Sequence, residues 1–560
     1  MTTETAVMRG TMGDFPLSIQ HIFWRVERLF GPKQIVTKQE DGVHRYTYAE
    51  MAARVHRLAH ALDALGVSPG DRVATLSWNT YRHMETYLAV PCMGAVLHTL
   101  NLRLPRPQLE FIIADADDKV IVVDQSLLPL LMGLGAALDG VAHIVVMADD
   151  GPLPFHDLGA LLDYEVLLAA APPTRFTWPT IDENQGAAMC YTSGTTGDPK
   201  GVVYSHRSQF LHSMVGLQVD AVGLSEHDVV LPLTPMFHAN SWGLPYACAM
   251  AGAALVLPGR WSGDSAAMLA LAADEDVTIL AGVPTLWINL LATMRAAGAR
   301  LPLVRTVLCG GSAVPAALMA GMDELDLPIL HAWGMTETSP VATTGRARSW
   351  HEGDEVFARR VSQGAVVPGV EIRIADLATG EELPWDGVAF GEIQVRGPWV
   401  ANGYYHNAAP NCTVAGGWFR TGDVATINTE GYVSIVDRTK DVIKSGGEWI
   451  SSVDLENAIM AHPAVHEAAV VGLPHAVWSE RPVAYVVAKP DARAMLTAAD
   501  IRDFLRDKVE RWQLPDEVHF IDDVPKTSVG KFDKKALRAG AAPLDPSLVS
   551  APETAPAARG

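Results

Sequence analysis

At 560 residues the chain is too long for one ordinary hydrophobic core, and roughly two to four domains are expected. Hydrophobic residues make up 49% and charged residues 19%, the balance of a soluble globular enzyme. The net charge of −21 argues against non-specific nucleic-acid binding, which needs a basic face, but leaves room for an anionic ligand held by a few gathered cations.

Met1–Gly13 is polar and lacks the apolar centre of a signal peptide. No uninterrupted apolar run reaches ~18 residues, so no transmembrane helix is expected. The cysteines at 92, 190, 248, 309 and 412 are scattered without a CxxC pair. That argues against a zinc site or a disulfide framework and predicts a reduced, cytoplasmic setting. Thr47-Tyr48-Ala49-Glu50 reads as a capping box, after which Met51, Val55, Leu58, Leu62 and Leu65 recur at helical spacing until Gly66. Strands at 72–78, 95–100 and 119–124 then alternate with helices at 83–93 and 107–116. Further strands are expected at 229–232, 254–258, 277–281 and 304–309. Such alternation predicts an α/β fold, a large N-terminal domain of parallel sheets covered by helices. After about Val366 short strands separated by turns predict a small β-rich subdomain to 437. Residues 438–539 alternate helix and strand in a compact block, read as a small α+β C-terminal lid domain. The last stretch, 540–560, is rich in Ala and Pro and is expected to be disordered.

Tyr191-Thr192-Ser193-Gly194-Thr195-Thr196-Gly197-Asp198-Pro199-Lys200-Gly201 packs hydroxyls, glycines and one lysine into a short loop between two apolar runs. Glycines let backbone N–H groups crowd round an anion, hydroxyls add donors, and lysine adds a point charge for phosphate oxygens. The order is not the common Gly-Lys-Ser/Thr pattern. Leu308-Cys309-Gly310-Gly311-Ser312-Ala313 follows a strand, and its glycines admit a planar ligand close to the backbone. In His331-Ala332-Trp333-Gly334-Met335-Thr336-Glu337-Thr338 an aromatic ring can stack on a base, a hydroxyl can hold a phosphate and a carboxylate can take Mg²⁺. Asp423, within Gly417-Trp418-Phe419-Arg420-Thr421-Gly422-Asp423, can accept from two vicinal hydroxyls. For Asp437-Arg438-Thr439-Lys440-Asp441 taken alone, a solvated charge run is the default.

The phosphate-type loop resembles the signature of the adenylate-forming superfamily, which includes acyl-CoA synthetases, adenylation domains of peptide synthetases and firefly luciferase. Further motifs follow in that family's order to about Arg538. The resemblance implies an ATP-dependent enzyme using Mg²⁺ and coenzyme A. It assigns the nucleotide to Thr192, Ser193, Gly194, Thr195, Thr196, Gly197 and Lys200; to Gly311, Ser312 and Ala313 against adenine; to Trp333, Gly334, Met335 and Thr336; and to Asp423 and Arg438 at the ribose. Trp333 stands where many members have Tyr, which keeps a stacking ring but loses the phenol. The metal is assigned to Glu337 with Thr196. Pro235-Met236-Phe237-His238-Ala239-Asn240 resembles the motif that places an aromatic ring beside the acyl carboxylate, so His238 joins Thr336, Glu337 and Lys531 as catalytic. His238, Trp242, Gly243, Val283 and Gly310 are assigned to the acyl pocket. Lys440 occupies the hinge, and Lys444, Gly446 and Gly447 the loop of the thioester step. Lys531, in Pro525-Lys526-Thr527-Ser528-Val529-Gly530-Lys531, reaches the carboxylate and α-phosphate during adenylation.

Within the family, Gly446-Gly447-Glu448-Trp449-Ile450-Ser451-Ser452 looks most similar to medium- and long-chain fatty acyl-CoA ligases and to ligases of short sulfur-containing acids. The expected partners are a carboxylic acid, ATP and CoA, with no nucleic acid and with a homodimer admitted. Four alternatives stay open: an enzyme loading a carrier protein, a luciferase-type monooxygenase, a nucleotide-binding protein without activity, and a ligase acting mainly on preformed acyl-adenylate.

Overall fold

One helix of the α/β core is set by four residues. Thr47 Oγ1 accepts from the Glu50 N–H at 3.2 Å, and Glu50 Oε2 accepts from the Thr47 N–H at 2.7 Å. This reciprocal cap satisfies two otherwise orphaned donors and starts the helix Tyr48–Ala64, as the spacing predicts. The computed structural model describes residues 8, 10–149, 156–192, 198–446, 448–490, 492–493, 495–526 and 532–541. The expectations placed on Ser193, Gly194, Thr195, Thr196, Gly197, Gly447, Lys531 and most of the C-terminal tail lie outside the described residues.

Two large sheets organise the first four hundred or so residues. The seven-stranded sheet runs, edge to edge, Leu161–Asp163, His143–Met147, Asp118–Asp124, Arg72–Leu76, Val96–Thr99, Gly186–Thr192 and Lys200–Ser205. Every pairing in it is parallel except the last. The nine-stranded sheet is parallel through its centre, where Thr306–Cys309 lies between Ile279–Gly282 and Ile329–Gly334, and antiparallel at both edges. Parallel strands need covering on both faces, which is why their sequences are near-continuous Val, Ile and Leu.

Helices Ile19–Leu29, Tyr48–Ala64, Tyr81–Cys92, His206–Gly216 and Leu244–Ala251 share one core with strands of both sheets. Every residue of Tyr81–Cys92 is buried, so its polar groups need internal partners. Glu85 accepts from Arg54 Nε at 2.6 Å and from the Tyr164 hydroxyl at 2.6 Å. Burial raises its carboxyl pKa above the ordinary range, against the pull of Arg54.

Two smaller sheets follow. Glu371–Ala375, Phe390–Arg396, Thr413–Val414, Trp418–Ile427 and Val433–Arg438 form an antiparallel sheet whose core includes Trp333 of the nine-stranded sheet. The last sheet contains Ile443–Ser445, Glu448–Ile450, Val465–His475, Ser479–Ala488 and Glu517–Phe520. Helices Ser452–Met460 and Ala498–Leu505 share its core. Among the described residues no helix is long and apolar enough to cross a membrane.

Candidate active site

A cavity of about 290 Å³ opens where the two large sheets meet the antiparallel sheet. Thr192 and Lys200 reach its wall from facing ends of the hairpin Gly186–Thr192/Lys200–Ser205, where they are paired in register. Lys200 Nζ lies 5.2 Å from the centroid of the Tyr404 ring. The Tyr404 hydroxyl donates to Glu337 Oε1 at 2.5 Å. Burial and the Glu337 carboxylate push the Tyr404 pKa far above the ordinary phenol value, so it stays a donor.

Glu337 sits in the tight turn Thr336–Thr338 after the strand Ile329–Gly334. Tyr204 donates to the Thr336 carbonyl at 2.9 Å, and the Ala401 N–H donates to the Glu337 carbonyl at 2.7 Å. Both backbone carbonyls are thereby satisfied inside the protein, and Trp333, Gly334, Met335, Thr336 and Glu337 all line the cavity. Trp333 is 8% exposed, and its indole N–H donates to Asp423 Oδ2 at 2.9 Å. The indole thus makes a hydrogen bond of its own. Arg438, also on the wall, holds Asp423 Oδ1 at 2.8 Å from the neighbouring strand, where it pairs in register with Asp423.

The opposite wall carries an unusual backbone. Ala239, Asn240, Ser241, Trp242 and Gly243 all have positive φ, between 43° and 72°. One left-handed turn built from L-residues costs about 1–2 kcal/mol at each of them. It is held by Ser241 Oγ donating to the Thr234 carbonyl at 2.8 Å and by Asn79, which bonds the Thr234 carbonyl at 2.9 Å and the Met236 N–H at 2.8 Å. The turn places His238 and Trp242 on the cavity wall, with Gly310 and Gly311. Gly243 and Val283 are not on the wall, nor are Ser312 and Ala313, which are exposed. Asp423 lies behind Trp333 and Arg438.

The remaining candidates stand apart from the cavity. Lys440 lies between the strands Val433–Arg438 and Ile443–Ser445, where the Asp441 and Val442 N–H groups both donate to the Arg438 carbonyl at 2.8 Å. Burial lowers its ammonium pKa. Next to it Asp441 pairs with Arg538 at 2.6 Å. Lys444 rests over the Trp449 ring at 5.3 Å. Gly446 has φ +64°, and a Cβ there would lie 2.6 Å from the Trp478 ring, so backbone and packing both demand glycine.

Among the described residues no three His, Cys, Asp or Glu side chains gather into a metal cage. Mg²⁺ needs only one or two carboxylates when substrate phosphates complete its shell, and the Glu337 carboxylate on the cavity wall suits that mode. Sequence reasoning missed Tyr404, Tyr204 and His212. Tyr404 and Tyr204 meet Glu337 and Thr336 only through the fold. A polar His212 on a buried helix face was the one signal in the chain.

A family model described as AMP-binding enzyme matches residues 24–405, and one described as AMP-binding enzyme C-terminal domain matches 454–531. The chain is 46% identical to a long-chain-fatty-acid–CoA ligase of Thermus thermophilus, over 94% of this chain and 96% of that one. It is 41% identical to a medium-chain-fatty-acid–CoA ligase of Ectopseudomonas oleovorans, over 95% and 97%. A crystal structure of an anthranilate CoA ligase in complex with anthranoyl-AMP superposes with a TM-score of 0.83 at 27% identity, covering 94% of this chain and 98% of that one.

Proposed function

The chain belongs to the AMP-binding enzyme family, and from that premise we infer that it is an ATP-dependent, AMP-forming acyl-CoA synthetase. One observation carries the reading: a single cavity joins a phosphate-side pair, Thr192 and Lys200, to the Trp333–Glu337 turn and to an apolar arm lined by Gly216, Val222, Leu244 and Ala247. We take the acid to be a medium- or long-chain fatty acid or a related hydrophobic one.

The first step needs no protein nucleophile. The substrate carboxylate attacks the α-phosphorus of ATP, the bond to the β-phosphate oxygen breaks, and pyrophosphate leaves. Catalysis then rests on positioning and charge neutralisation. Thr192 and Lys200 would hold the departing phosphates, with Ser193, Thr195 and Thr196 beside them in sequence. Trp333 and Asp423 would hold the nucleoside, and Thr336 the α-phosphate. Glu337 would hold Mg²⁺, which when bound neutralises phosphate charge. Lys531 would meet the carboxylate and α-phosphate. In the second step CoA thiol attacks the acyl carbon and AMP departs. Lys440 would serve as the hinge between the two steps, and Lys444, Gly446 and Gly447 would belong to the thioester step.

The reading extends to a homodimer in a reduced, cytoplasmic setting; all five cysteines carry free thiols, four of them buried. A panel of carboxylic acids, assayed separately for pyrophosphate release and for acyl-CoA, tests the function. Pyrophosphate release and CoA ester with the same hydrophobic acids is the expected result. Pyrophosphate release without CoA ester would point to another acceptor.

A further inference from the structure

One side chain touches both a cation and an anion to which the reading above gives the triphosphate and its metal. The Tyr404 ring centroid lies 5.2 Å from Lys200 Nζ, and the Tyr404 hydroxyl donates to Glu337 Oε1 at 2.5 Å. Lys200, Tyr404 and Glu337 all line the cavity. Glu337 is 5% exposed, so water screens its charge poorly. A lysine and a carboxylate in one such cavity attract each other. Were they to pair, the lysine would be lost to phosphate oxygens and the carboxylate to a divalent cation. Tyr404 offers each a neutral partner. The ring presents the negative face of its quadrupole to the ammonium, and the hydroxyl gives the carboxylate a donor. Both ions therefore keep their charge.

Backbone and packing hold the ring in this place. The Ala401 N–H donates to the Glu337 carbonyl at 2.7 Å, Ser339 Oγ to the Trp399 carbonyl at 2.8 Å and the Trp399 indole N–H to the Val341 carbonyl at 3.0 Å. The chain just ahead of Tyr404 is thus tied to the turn that carries Glu337 and to the residues after it. Just beyond, the Asn407 N–H closes on the Tyr404 carbonyl at 3.0 Å. On the other side, a Cβ built on Gly201 would lie 3.0 Å from Tyr405 Cβ, so the hairpin packs closely against the same segment beside Lys200. Phe419 meets the Tyr404 ring edge-on, with centroids 6.1 Å apart.

We propose that Tyr404 is a positioning residue of the adenylation step: it keeps Lys200 and Glu337 from pairing with each other, and its hydroxyl orients the Glu337 carboxylate for Mg²⁺. This rests on the acyl-CoA synthetase reading. A carboxylate has about four lone-pair positions, so one donor does not preclude a cation. A hydrogen bond that fixes a metal-binding carboxylate accounts for about 10–100-fold in metal affinity.

The test reads binding and not turnover. Calorimetric titration uses α,β-methylene-ATP, in which the bond to be broken is replaced by phosphorus–carbon, first in EDTA and then at rising Mg²⁺. Tyr404→Phe keeps the ring over Lys200 and deletes the donor. Its affinity in EDTA should match the wild type, while the Mg²⁺ concentration that half-maximally tightens binding rises about tenfold. Tyr404→Leu removes the ring as well and lets Lys200 turn to Glu337. Affinity in EDTA should then fall about fivefold, the size of a modest ion pair. In a Glu337→Gln background the same change should cost less than about twofold, since an amide offers Lys200 no charge. An equal fall in both backgrounds would overturn the proposal, because a ring that merely fills space is missed whatever the charge at 337. So would wild-type Mg²⁺ dependence in Tyr404→Phe, and should Tyr404→Leu not fold, that dependence decides. Failure of the wild type to bind the analogue under either condition would instead remove the function on which the proposal stands.

Discussion

The Trp333 indole N–H donates to Asp423 Oδ2 at 2.9 Å, joining the nine-stranded sheet to the antiparallel sheet across 90 residues of sequence. Arg438 occupies the other carboxylate oxygen at 2.8 Å. A carboxylate has about four lone-pair positions, so two donors leave room for ribose hydroxyls. On the function proposed above, Asp423 is thus aimed before nucleotide arrives. Trp333→Phe keeps a ring for stacking and deletes the donor. We expect the KM for ATP to rise about tenfold, in keeping with ~1.5 kcal/mol for a hydrogen bond to a charged group. The melting temperature should move by no more than a few degrees. An unchanged KM would show that Arg438 alone orients the carboxylate.

Glu337→Gln replaces an anionic oxygen with a neutral amide. A hard divalent cation binds an amide less well than a carboxylate. The Mg²⁺ concentration for half-maximal pyrophosphate release should rise at least about tenfold. The amide can still accept from the Tyr404 hydroxyl, so folding should be retained. Unaltered Mg²⁺ dependence would place the metal elsewhere.

Lys440→Pro addresses the segment between the two C-terminal sheets. Proline fixes φ, and a hinge must change its dihedrals. Acyl-AMP formation in a single turnover should persist, while overall CoA ester production falls by more than about tenfold. Equal loss of both half-reactions would indicate disturbance of the Arg538–Asp441 pairing beside it. Loss of neither would place the hinge elsewhere.

His331 provides a pH prediction. It is 1% exposed, its Nδ1 lies 3.0 Å from the Val361 carbonyl, and burial lowers its pKa from 6.5 to about 4. The folded state refuses a proton that the unfolded chain accepts below about pH 6.5. Its contribution is therefore complete above that pH and is lost as pH falls toward about 4. At pH 5 the loss is about 2 kcal/mol. His331→Asn keeps a donor for Val361 and removes the titration. Thermal melting at pH 7.5 and pH 5.0 should show a smaller acid-induced drop in the variant; an identical drop would exclude His331 as a source.

Local chemistry was legible in the chain where the signal is carried by neighbours in sequence. The Thr47–Glu50 cap was read from four residues, because the bonds that make it span three positions. The α/β class followed from apolar strands alternating with helices, since burial on two faces leaves a continuous apolar run. The left-handed turn at Ala239–Gly243 was not legible: four of its five residues are not glycine, and only long-range bonds such as that from Asn79 make the conformation tolerable.

The sequence by itself determined the order of the phosphate-type loop, the Trp333–Glu337 turn and the Asp423 strand, and with it the family. Those motifs are short and contiguous, and their chemistry resides in residue type. Which groups meet was decided only by tertiary structure. Tyr404 reaches Glu337 across 67 residues, Trp333 reaches Asp423 across 90, and Val341 takes one nitrogen of His212 across 129. A hydrogen bond is a matter of distance and direction between two atoms. For residues so far apart those are set by how sheets and helices pack, a property that no local pattern encodes.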